Sequence, residues 1–151
     1  MDDLIAIINN DDGWVIEEEV RNDELMVTRF RYELTTKLDK KKYSNLIRVF
    51  WNYSEHSTGL PSPKDVQLMN VFENRLAKAL EHDVSGILVA VLTSKGRREW
   101  VYYTTSIEVF SDRLHRIPQE VDRYPINIHA YRDEDWKYFF GEVYSESAVN
   151  N

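Results

Sequence analysis

A chain of 151 residues with 42% hydrophobic and 30% charged content is long enough to bury a core and has the make-up of a soluble globular domain. It has no cysteine, which excludes disulfides, thiolate catalysis and cysteine-based zinc sites. Of its formal charge of −7, residues 1–24 carry −8, with nine acids against one base; such a balance argues against general nucleic-acid binding, which needs cations to displace phosphate counterions.

The opening run Met-Asp-Asp-Leu-Ile-Ala-Ile-Ile has acids where a signal peptide needs a positive charge, so a cytosolic location is expected. Residues 14–20 and 25–35 read as a hairpin around Arg21-Asn22-Asp23-Glu24. In the second arm Met26, Thr28, Phe30, Tyr32 and Leu34 alternate with Val27, Arg29, Arg31 and Glu33, the period of a half-buried strand. Residues 37–42 form a basic loop. Strand 46–53 follows, with Ile47, Val49, Trp51 and Tyr53 on an apolar face and Leu46, Arg48, Phe50 and Asn52 on a mixed one. The turn-rich stretch 54–61 ends it.

Ser62-Pro63-Lys64-Asp65 is a helix start: a capping hydroxyl, a proline suited to the first position and an acid at the positive end of the dipole. Val66, Met69, Phe72, Leu76, Ala79 and Leu80 then recur at helical spacing through His82, as a core stripe. Residues 86–105 read as two strands joined by a tight Ser94-Lys95-Gly96 turn. The first arm is apolar on both faces, so both should be covered. It is too short to span a bilayer. A helix from Ser106 carries Ile107, Val109, Phe110 and Leu114 and stops before Pro118. After Pro125 comes the last strand, with Ile126, Ile128 and Ala130 inward and Asn127, His129 and Tyr131 outward. Asp133-Glu134-Asp135 starts a short helix with Trp136, Phe139, Phe140 and Val143, and the tail from Ser145 should fray.

This order predicts one α+β domain over residues 1–151, its ordered core at 12–144. Its centre is a ferredoxin-like βαββαβ antiparallel sheet with helices on one face, plus an N-terminal β-hairpin and a C-terminal helix. In a bare βαββαβ unit the first arm of the 86–105 hairpin is an edge, so the N-terminal hairpin or a second subunit should pair beside it. The open sheet face is expected to carry Arg48, Phe50, Asn52, Trp100, Tyr102, Asn127, His129 and Tyr131. That surface is unusually aromatic. An oligomer interface, a partner or ligand surface, or cover by the chain's own termini each explains it.

Constellations for chemistry are sparse. His56, His82, His115 and His129 show no metal-ligand spacing. Asp133-Glu134-Asp135 reads as a helix cap rather than a metal or acid–base cluster. Glu17 and Glu19 share one strand face and Glu18 takes the other, as on an exposed edge. There is no Gly-rich phosphate loop and no nucleophile elbow. Trp100-Val101-Tyr102-Tyr103 resembles the end of an RNA-recognition signature, but Gly96-Arg97-Arg98-Glu99 does not fit its first half.

Residues 59–65 with Glu73-Asn-Arg-Leu76, residues 89–104, and Tyr124-Pro-Ile with Asp133-Glu-Asp-Trp136 together resemble Domain of Unknown Function 695, and Trp14 also fits. The resemblance covers most of the chain, from Trp14 to Phe140, and is most specific in the middle block. It implies no catalytic residue. Some members of that family are joined to a domain similar to regulator of ribonuclease E activity B, a small acidic ferredoxin-like ribonuclease inhibitor. The resemblance therefore implies an interaction role by association.

The leading expectation is a non-enzymatic interaction or regulatory module of the bacterial cytosol, with no cofactor and no metal. Arg48, Trp100, Tyr102, His129 and Tyr131 are its candidate anchors. Glu17, Glu18 and Glu19 would steer a basic protein partner. A second expectation is a ligand binder or enzyme with a cleft between the sheet and the N-terminal hairpin or C-terminal helix, using Glu99, Tyr103 and His129. A third is a homodimer that pairs its aromatic faces.

Overall fold

The computed structural model describes residues 2–35, 39–53, 60–94, 96–119 and 123–149. Residues 54–59 of the expected link, with His56, lie outside them, as do Lys37 and Leu38 of the basic loop and Lys95 of the tight turn. Six strands form one antiparallel sheet: β1 (Trp14–Arg21), β2 (Glu24–Arg31), β3 (Asn45–Asn52), β4 (Gly86–Ser94), β5 (Arg97–Thr104) and β6 (Ile126–Arg132), in the order β1-β2-β4-β5-β3-β6. The helices are α1 (Asp2–Asn9), α2 (Pro63–Glu81), α3 (Ile107–Arg116) and α4 (Glu146–Val149).

Local chemistry accounts for most of these elements. Asn22 and Asp23 join β1 to β2 with φ of 52° and 65°, the two left-handed residues of a tight hairpin turn that follows the sheet twist. The Ser62 hydroxyl accepts from the Asp65 amide and opens α2; Ser106 does the same for Val109 and opens α3. The N-terminal hairpin pairs beside β4, through Val27↔Thr93 and Phe30↔Ala90, so β4 is not an edge of the sheet.

Two cores flank the sheet. On one face, Ile47, Val49 and Trp51 of β3 and Trp100 and Tyr102 of β5 pack against Met69, Phe72, Leu76 and Leu80 of α2 and Phe110 and Leu114 of α3. On the other, Phe30, Leu46, Val101 and Tyr103 pack against Leu4 and Ile7 of α1 and Trp136, Phe139 and Val143 of the C-terminal segment. The expectation of helices on one face is thus corrected. Both faces are covered except over β6, the second by the two ends of the chain. Leu4 and Ile7 share a helical face, a stripe too short to stand out in the sequence. The tail from Ser145 is also corrected: α4 follows, and Ala148 and Val149 pack on this second core. Strand β2 ends at Arg31 rather than residue 35, because Tyr32–Thr35 turns into a short 3-10 helix that buries Leu34.

A bulge in β4 sets the joint between these layers. The pairing with β5 shifts between Leu88 and Ala90. The pairing with β2 reaches only from Thr93 to Ala90. Leu88 therefore stands beyond the β2 ladder, and two charged side chains take the place of a strand. Its N–H donates to Glu81 Oε2 at 3.0 Å, and its carbonyl accepts from Arg31 Nε at 2.8 Å. Arg31 also donates to the Ile7 carbonyl of α1 at 2.8 Å and pairs with Glu81 at 3.4 Å. Its guanidinium lies 4.4 Å from the Trp14 ring centre. Burial lowers the Arg31 pKa and raises that of Glu81, each opposed by the charge of the other.

Tyr43 makes a second long-range tie. Its hydroxyl donates to the Val84 carbonyl at 2.7 Å, and its own carbonyl accepts from Trp136 Nε1 at 2.9 Å. Val84 and Trp136 have φ of 52° and 56°, a left-handed region costly for branched and bulky side chains. Both are buried.

Replacing Arg31 by Met leaves the Glu81 carboxylate and two buried carbonyls without their partner. Urea unfolding should show a loss of about 3–5 kcal/mol, part of it recovered by adding Glu81→Leu. A loss below about 1 kcal/mol for Arg31→Met would mean that the pair does not hold the layers together.

Candidate functional site

The second sheet face closes over β2, β4 and the near half of β5, and opens toward β3 and β6. Its boundary is a polar cluster. Arg48 of β3 grips Glu99 of β5 through two bonds, Nε to Oε2 at 2.8 Å and Nη2 to Oε1 at 3.2 Å. Such a fork fixes both orientation and charge. Tyr138 reaches back from the C-terminal segment and donates to the same Glu99 Oε2 at 2.8 Å. The Arg48 guanidinium lies 4.3 Å from the Tyr138 ring centre and 5.0 Å from that of Phe50. Burial lowers the Arg48 pKa, but the bonds and charge of Glu99 outweigh it and the net shift is upward. Burial, then the Glu99 charge, push the Tyr138 phenol up.

A second cluster anchors the same segment. The Tyr103 hydroxyl donates to Asp133 Oδ2 at 2.8 Å and accepts from the Phe139 amide at 3.2 Å. Its ring stacks on Trp136 at 3.9 Å. Burial and the bond to Asp133 push its phenol up. Asp133 also accepts from the Lys137 and Tyr138 amides, so it caps the turn that leads into a π-helical stretch at Phe139–Val143.

Beyond Arg48 the face is open. Phe50 floors a depression of about 290 Å³, walled by Asn52, Arg97, Asn127 and His129. His129 stands edge-on to Phe50 at 5.1 Å, and the Arg97 guanidinium lies 4.6 Å from the same ring. Strand β6 borders this depression and, among the described residues, pairs only with β3. Ile128 is 41% exposed and Tyr131 42%.

The structure brings Arg48, His129 and Tyr131 to this one face, with Arg48 opposite His129 and Leu46 opposite Tyr131 in the ladder. Glu99 and Tyr103 join them from β5. Trp100 and Tyr102 do not, and their expected exposure is corrected. Val49 pairs with Trp100 and Ile47 with Tyr102, so both rings point under α2 and α3 and are fully buried. Trp100 Nε1 donates to Glu73 of α2 at 2.9 Å. Glu17, Glu18 and Glu19 lie on β1, at the opposite edge of the sheet. Ile128 and Ala130, expected inward, are exposed, since the helix layer stops short of β6. Tyr138 and Arg97 were not singled out from the sequence. Tyr138 follows a capping Asp133 by five residues, and that spacing was its only local signal.

Among the described residues no group of three or more acidic or histidine side chains is placed to hold a metal ion. None of their helices is long and apolar enough to cross a membrane. A family model described as a family of unknown function (DUF695) matches residues 12–144. No curated protein and no solved structure matches the chain.

Arg48→Met should cost about 3–5 kcal/mol by leaving Glu99 buried without its cation, whereas His129→Ala should stay within about 0.5 kcal/mol. Chemical denaturation of the two variants reads the difference; equal losses would contradict this division. Alkaline pH should also destabilise the fold. Above about pH 10 the unfolded chain has released its phenolic protons, while burial keeps those of Tyr102, Tyr103 and Tyr138 bound. The native state then holds more protons, and stability falls as pH rises. Absorbance titration should show these phenols ionising only as the protein unfolds. Reversible ionisation of all nine tyrosines in the folded state would count against their burial.

Proposed function

This chain belongs to the family of unknown function DUF695, and from that premise we propose that it is a non-catalytic protein-interaction module that takes an extended segment of another protein as an added strand on β6. The observation that carries this reading is the contrast between the two sheet edges. A free edge is a template for strand pairing, and proteins protect such edges with charges, prolines or bulges. Edge β1 carries Glu17, Glu18 and Glu19 in succession. Edge β6 reads Ile-Asn-Ile-His-Ala-Tyr-Arg over seven residues, with no acid, proline or lysine and a continuous register to β3. Strand addition to such an edge draws affinity from the backbone and specificity from alternate side chains.

Ferredoxin-like topology goes with this reading. The order β4-β5-β3-β6, with α2 and α3 on one face, supports a split βαβ unit whose β4 edge is filled by the hairpin and whose β6 edge stays open. The depression beside β6 supports a partner segment with an acidic side chain, because Arg97 has no acid partner among the described residues. The acids of β1 would repel such an acidic segment and so support its choice of β6 over the opposite edge. A regulatory role in the cytosol accords with this module. An enzymatic reading has less support: Glu99 is tied to Arg48 and Tyr138, and the buried carboxylate with a raised pKa, Glu81, faces Arg31 and not His129.

A photo-cross-linking residue placed at Tyr131, in cells that naturally make the protein, should trap one protein partner; the same residue at Glu18 should not. Ile128→Lys, at an exposed position, should abolish the adduct without unfolding the chain. An adduct of twice the chain mass would replace the heterologous partner with a homodimer. Equal trapping from both edges, or none from Tyr131, would sink strand addition at β6.

A further inference from the structure

On the helix-covered face lies a second concavity, of about 270 Å³, between the first half of α2 and the sheet. Arg29, Asn70, Glu73, Thr93 and Arg98 supply its polar lining. Ile16, 65% exposed at the mouth, and Val66 are part of its apolar wall. Glu73 is engaged: Oε1 accepts from Arg29 Nη2 at 2.7 Å and from Trp100 Nε1 at 2.9 Å. Arg98 differs from the other inward-facing arginines. Arg29, Arg31 and Arg48 each have a carboxylate partner. Arg98 donates from Nε to Thr93 Oγ1 at 2.9 Å, and its guanidinium meets no acid within ion-pair reach among the described residues. It is partly buried, and burial lowers its pKa, which the charge of Glu73 does not restore.

Two guanidiniums against one carboxylate leave one positive charge in this cleft, in a chain of net charge −7. A cation drawn partly out of water is stabilised by a paired anion, and a guanidinium with both terminal nitrogens open matches a carboxylate bidentately. A phosphate dianion would set a second negative charge beside Glu73. The volume lies just under the range of roughly 300–1,000 Å³ typical of small-molecule pockets. We propose that this cleft binds a small monocarboxylate, its oxygens paired with the two Nη nitrogens of Arg98 and its apolar tail against Ile16 and Val66. The site is independent of the strand addition proposed at β6.

Trp100 is a built-in reporter, because its indole N–H ends on Glu73 at the lining of the cleft. Hexanoate, added to the ¹⁵N-labelled full chain, should shift the Trp100 indole and Asn70 side-chain resonances to saturation. Hexylamine, with the same tail and the opposite charge, should not. Arg98→Gln should weaken the hexanoate response at least tenfold, and Arg98→Lys should restore only part of it. Should Arg98→Gln fail to fold, Ile16→Asp tests the same site from an exposed position, since a second acid at the mouth should abolish the response. A response that never saturates, that is matched by inorganic phosphate, or that survives unchanged in a folded Arg98→Gln or in Ile16→Asp would overturn the proposal.

Discussion

The Arg31–Glu81 pair at Leu88 is the constraint on which the other layers depend. A bulged strand that has outrun its neighbour exposes one backbone donor and one acceptor, and leaving them unpaired in the interior is costly. Here the carboxylate and the guanidinium answer them in the places a neighbouring strand would have used. Each of the two side chains brings its own element along: Glu81 the end of α2, Arg31 the end of β2 and, through Ile7, the end of α1. One irregularity in β4 thus fixes where a helix from each face meets the sheet. The desolvation of both ions is the cost, and it is offset because each satisfies backbone groups as well as its partner.

From that joint the molecule divides into a closed part and an open part. Chain ends cover the second face as far as Arg48 and Glu99, where Tyr138 seals the border with a hydrogen bond. Past this border the same sheet continues for one strand without cover. Its polar groups are of two kinds. Those at the border are mutually saturated and serve position; those beyond it, His129, Asn127 and Arg97, retain capacity for an outside group. The helix-covered face repeats the pattern on a smaller scale: Glu73 is held by Arg29 and Trp100, while Arg98 meets no acid among the described residues. In both places the structural pair stands next to the unsatisfied group and holds its surroundings still.

Much of the fold was legible because its signals are local. Ser62-Pro63 starts α2, Asn22-Asp23 turns the first hairpin, and the period of two marks β3. The face of β5 was not legible. Trp100 and Tyr102 alternate with Val101 and Tyr103, so either parity offers a large apolar set, and only the register with β3 decides which rings go under the helices. The same limit applies to the site. Arg48 was visible as a lone cation on a strand, but its partner Glu99 stands 51 residues away and Tyr138 another 39 beyond that. Helix α1 was missed because its apolar contacts, Leu4, Ile7 and Ile8, span little more than one turn, too short a stretch for periodicity to register. Edge character, which carries the functional reading, is a property of strand order and not of any single segment.

The Tyr43 tie carries a kinetic consequence. Val84 and Trp136 are both held in backbone conformations that an isolated chain avoids, and both are tied to one residue, across 41 and 93 positions of sequence. Neither conformation is favoured locally, so neither can nucleate structure; each becomes worth adopting only after distant segments have met. Trp136 lies in the segment that roofs the second core, so that roof can close only once Tyr43 and the sheet beneath it are in place. Since Tyr138 of the same segment forms the border of the open face, transient opening there would enlarge the surface beside β6 without disturbing the helix-covered core.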